Sequence, residues 1–116
     1  MTHNPTCFKE SDELGDVTTK FLVNRFTTAP VIDSQGKAIG ILTETGLMRC
    51  FLLLFSKTKQ KILMKDVLNL LEPVSYVAPN DSLEKVLKSM LTSKTSRVLV
   101  LGLSQRIVGV ISLSLI

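Results

Sequence analysis

Two short runs end on a hydroxyl, Gly40-Ile41-Leu42-Thr43 and Gly109-Val110-Ile111-Ser112. A strand that delivers Thr or Ser to a helix N-terminus sets a hydroxyl and free backbone N–H groups where the helix dipole favours negative charge, which is the chemistry of phosphate binding. The same hydroxyl also serves as an N-cap, satisfying those N–H groups without any ligand, and both readings stand for Thr43 and Ser112. Arg97, just ahead of the run Val98 to Leu101, reads by itself as a surface salt-bridge partner of Glu72 or Glu84. Gly40 and Gly109 suit close packing or strand twist as well as a ligand-binding turn.

Catalytic arrangements are missing from the sequence. The single histidine, His3, lies near the N-terminus, and no Ser-His-Asp, Cys-His or paired-carboxylate pattern can be assembled around it, so an enzyme is not expected. Cys7 and Cys50 lack the close spacing of a metal site or a disulfide scaffold and are expected to be reduced and partly buried. The formal charge of +4 has one local excess, Lys57, Lys59, Lys61 and Lys65. No aromatic residues are interleaved there to stack on bases, so a solvated linker or helix face is expected in place of a nucleic-acid site. The longest apolar run, Cys50 to Phe55, is far short of the ~20 residues that cross a bilayer, and no signal-peptide pattern opens the chain. The expectation is a cytoplasmic protein with no membrane insertion.

The elements that position the two hydroxyl turns come as a duplication. A shift of 69 residues places Asp12 on Asp81, Leu14 on Leu83, Val17 on Val86, Leu22 on Leu91, Val31 on Val100 and Gly40 on Gly109 without a gap. In the second copy Leu83, Val86, Leu87, Met90 and Leu91 recur at helical spacing, predicting a helix over about 81–93 with Asp81 and Glu84 as a capping box. Its counterpart starts at Ser11 and is weakened by Gly15, Thr18 and Thr19. Each helix is followed by two β-branched runs around a turn: Ala29 to Asp33 and Ala38 to Leu42, then Arg97 to Leu101 and Arg106 to Ile111. Thr6 to Lys9 and Ser75 to Ala78 read as further short strands.

A helix over Glu44 to Ser56 closes the first copy and is apolar on nearly every side. A surface helix needs only one apolar stripe, so a second cover, a partner chain or the sister repeat, is expected over Leu47 to Phe55. Residues Lys57 to Lys61 then connect the halves, and Met64 to Leu71 forms a short helix leading into the second. The resulting organisation is one repeat at 1–56, a linker at 57–65 and a second repeat at 66–116. The sequence stops at Ile116, where the second closing helix should begin.

These stretches resemble the CBS family over essentially the whole chain. Pro30-Val31-Ile32-Asp33 with Gly36 resembles one family motif, and Gly40 to Gly46 and Gly109 to Leu115 resemble a second. The resemblance implies a mixed α/β (α+β) fold of two tandem β-α-β-β-α repeats with pseudo-twofold symmetry, here with the second closing helix lacking. It also implies a regulatory module whose clefts between the repeats take an adenosyl ligand such as AMP, ADP, ATP or S-adenosylmethionine, with no cofactor required. Homodimerisation through the Leu47 to Phe55 helix and control of a fused or separate effector domain belong to the same implication. The resemblance further implies that Arg97 directs a basic side chain at phosphates in the cleft it shares with Ser112, with Thr43 at the second cleft, while the family's Asp that would bind ribose hydroxyls is replaced by Gly46 and Leu115. The loss of such a charge-assisted hydrogen bond costs about 1.5–3 kcal/mol. The runner-up is therefore a ligand-free dimerisation scaffold.

Overall fold

The computed structural model of the chain describes residues 2–3, 5–56, 61–93, 97–102 and 106–112. It divides into two compact units, a first of Thr6–Glu72 and a second of Pro73–Ile116 together with Met1–Pro5.

The first unit begins with strand β2 (Phe8–Lys9), helix α1 (Leu14–Val23) and the hairpin β3 (Thr28–Ile32) and β4 (Ala38–Thr43). Helix α2 (Glu44–Ser56) and a 3-10 helix, Met64–Leu70, follow. The sheet order is β2-β3-β4, parallel then antiparallel. Leu14, Val17 and Phe21 of α1 meet Leu47 and Cys50 of α2 in a core that also takes Val31 and Leu42 from the sheet. Gly15 leaves α1 weak in intrinsic propensity, so this packing is what holds it.

The second unit repeats the plan with β5 (Tyr76–Val77), α3 (Leu83–Ser93), β6 (Arg97–Leu101) and β7 (Ile107–Ser112). The duplication extends to single hydrogen bonds. Asp12 accepts the Lys9 N–H at 2.8 Å, and Asp81 accepts the Ala78 N–H at 2.7 Å. Asp33 N–H donates to Lys37 O and Gly102 N–H to Arg106 O, both at 2.8 Å. The hairpin registers agree as well: Thr28 faces Thr43 as Arg97 faces Ser112, and Val31 faces Gly40 as Val100 faces Gly109.

Four local features add to the sequence reading or differ from it. Strand β1 (Thr2–His3), which nothing in the sequence marks, pairs antiparallel with β7 and sets His3 opposite Gly109. Helix α3 starts at Leu83 because the Ser82 hydroxyl accepts the Lys85 N–H at 3.2 Å, while Asp81 is turned back to Ala78. Glu84 completes no capping box and instead pairs with Lys88 at 3.1 Å. Finally, Met64 and Val67 of the 3-10 helix, which leads into the second repeat, are buried in the first unit's core. Its Asp66 carboxylate accepts the Leu63 N–H at 3.0 Å, the same back-turned pattern as Asp12 and Asp81.

Candidate functional site

Strand β4 carries Gly40 and Thr43 to the start of α2. The Thr43 hydroxyl is buried and accepts the Gly46 N–H at 3.1 Å, so it caps the helix. Glu44 adds a carboxylate to the first turn, where it already answers the helix dipole and would repel an incoming anion. Gly46 is closely held: a Cβ there would lie 3.0 Å from the Leu70 carbonyl oxygen. Gly40 is tighter still, since its Cβ would stand 2.9 Å from Leu71 Cβ. Close packing thus accounts for Gly40. The opposite strand presents Thr28, register partner of Thr43, and no cation.

The matching position in the second unit has a different character. Arg97 opens β6 and is the register partner of Ser112, which closes β7, while Gly109 is buried opposite Val100 and His3. The strand ends therefore bring a half-buried guanidinium residue and a hydroxyl residue to one end of the hairpin. The residue that matches Glu44 by the repeat is Leu113, so the first-turn carboxylate is replaced by an apolar residue in the sequence. Leu113 to Ile116, including the Leu115 that replaces the acidic residue, lie outside the described residues.

Cys7 is half-buried and Cys50 buried, and burial pushes both thiols above their ordinary pKa, which lowers their reactivity. Among the described residues no group of three or more His, Cys, Asp or Glu could hold a metal ion. None of the described helices is long and apolar enough to cross a membrane.

The main surface feature is apolar. Leu47 and Cys50 turn α2 inward, while Met48, Phe51 and Leu52 are 71%, 43% and 69% exposed. With Leu22 and Thr18 of α1 they line a surface groove of about 530 Å³. One cover of α2 is its own unit, as expected. Helix α3 has a similar face: Leu83, Leu87 and Leu91 are 73%, 40% and 79% exposed, whereas Val86 and Met90 are buried. The sequence reading put all five on one helix stripe. The i, i+4, i+8 spacing of the leucines was the signal that could have set them apart from the buried pair.

The profile of the CBS domain family matches the chain twice, at residues 1–53 and 63–116. A chloroplastic CBS domain-containing protein, CBSX2 of Arabidopsis thaliana, is 36% identical over 59 residues, which is 51% of this chain and 25% of that protein's length. The matched stretch is thus about a quarter of that relative. The crystal structure of CBSX2 in complex with AMP superposes with a TM-score of 0.68 at 24% identity, covering 97% of this chain and 85% of that one. A haemolysin-like protein containing a CBS domain from Oenococcus oeni superposes with a TM-score of 0.77 at 15% identity, covering 97% and 79%. At these identities the likenesses concern the fold. With two family matches spanning nearly its whole length and a duplication that repeats single hydrogen bonds, the chain belongs to the CBS domain family and carries two of its repeats in tandem.

Proposed function

We propose that this CBS pair is a ligand-sensing regulatory module that takes an adenosyl nucleotide or another small anion at the Arg97–Ser112 end of the second unit. The observation that carries the reading is the register pairing of Arg97 with Ser112 at the end of the second hairpin. Thr43 is the weaker anion contact, since its hydroxyl already serves Gly46 and Glu44 stands next to it. The AMP complex of CBSX2 supports the ligand class. Ligand binding would shift the population of the module's conformations and so bias a fused or separate effector, with no chemistry performed on the ligand. The buried Cys50 thiol suits a reducing compartment such as the cytoplasm.

The module also dimerises, through the open α2 face of Met48, Phe51 and Leu52. A contiguous exposed apolar patch of this kind marks an interaction surface. Leu52→Lys should therefore give a monomer in sedimentation, and a wild-type monomer would contradict dimerisation. A second reading, a dimeric scaffold with no ligand, is favoured by Gly46, which offers no carboxylate for a ribose.

Thermal denaturation with AMP, ADP, ATP and S-adenosylmethionine separates the two. A ligand at 100 times its dissociation constant stabilises the native state by about 2.7 kcal/mol, or about 10 °C in Tm for a domain of this size. No rise with any of the four at millimolar concentration would leave the scaffold.

A further inference from the structure

We infer that the first unit holds a site for a free α-amino acid with an apolar side chain, set between the end of α1 and the start of α2. Arg25 receives the carboxylate, Glu44 the ammonium, and an apolar floor the side chain.

The local sequence builds one wall. Helix α1 ends in a Schellman turn, in which the Phe26 N–H donates to Phe21 O at 3.0 Å and the Arg25 N–H to Leu22 O at 3.2 Å. The turn brings Phe26 edge-on to Phe21, with ring centroids 6.0 Å apart. It also needs a left-handed residue ahead of Phe26, and Arg25 takes that conformation with φ 54°. Glycine suits the position best because it has no Cβ. The chain places an exposed arginine there against the backbone preference, and that arginine lines a surface pocket of about 370 Å³.

Helix α2 supplies the opposite wall. Glu44, exposed in its first turn, lines the same pocket, with Leu47 and Met48 one turn on. Phe21 and Leu47 are buried and form the floor, and the exposed Met48 stands at the rim. Among the described residues neither Arg25 nor Glu44 forms an ion pair.

The two charges choose the ligand. An anion drawn to Arg25 meets Glu44, a cation drawn to Glu44 meets Arg25, and a neutral apolar molecule leaves both groups unused. A zwitterion serves both, and its apolar side chain fills the floor. A mostly apolar pocket with a few polar groups that fix orientation is the usual build of a small-molecule site. Every lining residue belongs to the first unit.

The test is calorimetry of leucine, methionine and phenylalanine into the full chain as wild type, Arg25→Gly, Glu44→Gln and Arg49→Gln. Leucine amide and N-acetylleucine, which lack the carboxylate and the ammonium respectively, are titrated beside leucine. Wild type is expected to bind at least one of the three amino acids saturably at millimolar concentration, and each analogue at least tenfold more weakly than leucine. Glu44→Gln should lose at least tenfold in affinity. Arg25→Gly should lose as much while melting no lower than wild type, a combination that a damaged fold does not produce. Arg49→Gln, which removes an exposed α2 cation outside the pocket, should bind like wild type. No saturable heat with any of the three amino acids would overturn the inference, as would undiminished affinity in Arg25→Gly or Glu44→Gln or for either analogue. Loss of binding in Arg49→Gln would place the ligand in the groove along α2 and overturn it too.

Discussion

Gly40→Ala tests whether the first unit's hydroxyl turn is built for packing. The added Cβ would lie 2.6 Å from Leu71 Cδ1 and 2.9 Å from Leu71 Cβ. The Cδ1 contact can be relieved by a rotamer change, but the Cβ is fixed by the backbone. That backbone is held by two hydrogen bonds, Ile41 N–H to Glu72 O at 3.0 Å and Glu72 N–H to Ile41 O at 2.9 Å. Ordinary contact needs roughly 0.5 Å more, so either the Leu71 backbone moves or the pair with Glu72 loosens. Overpacking of this kind costs about 1–3 kcal/mol, and replacing a strand glycine by alanine returns about 0.5–1 kcal/mol. The expected net loss is about 1–2 kcal/mol, or about 5–10 °C in the melting of the first unit. Thermal and urea denaturation followed by circular dichroism measure it. Leu71→Gly should rescue part of the loss and Leu71→Ala should not, since alanine keeps the offending Cβ. A Gly40→Ala protein that melts at or above wild type would refute the packing argument.

Gly15, inside α1, has nothing within 4 Å of an added Cβ, so Gly15→Ala should stabilise by about 0.5–1 kcal/mol in the same melts. Thr43→Ala removes the cap on α2 and should cost about 1 kcal/mol in denaturation while leaving calorimetric affinity for AMP within a few-fold of wild type. The Ala78 N–H and then Lys85 hold the Asp81 carboxylate below its ordinary pKa. A depressed folded-state pKa contributes stability that is full above the unfolded value near 4 and lost as pH falls through the folded value. The Tm difference between wild type and Asp81→Asn should accordingly shrink below about pH 4.

The duplication was legible because the strand registers and the Asp12 and Asp81 turns depend on local residue types that recur at one spacing. The two hairpins followed from their β-branched runs, and α2 from its continuous apolar character. Strand β1 was not legible, because two residues carry no periodicity and Thr2–His3 gain their pairing only from β7. That Met64 and Val67 pack in the first unit's core was not legible for a related reason: apolar residues say that they are buried, not which core buries them. The Asp81 capping box failed because an Asp at a helix start can accept from either side, and the Ala78 N–H competed better than the helix. At the candidate site, sequence could place Thr43 and Ser112 at strand ends. It could not show that Gly46 already uses the Thr43 hydroxyl, or that Arg97 and Ser112 share one register.

The central claim is that Arg97 helps hold an anion at the end of the second hairpin. Isothermal titration calorimetry of AMP into wild type and Arg97→Ala tests it directly. A charge-assisted hydrogen bond lost from the site corresponds to about 1.5–3 kcal/mol, so affinity should fall roughly tenfold to a hundredfold in the variant. Equal affinity in the two proteins, or no measurable heat with either, would contradict the account.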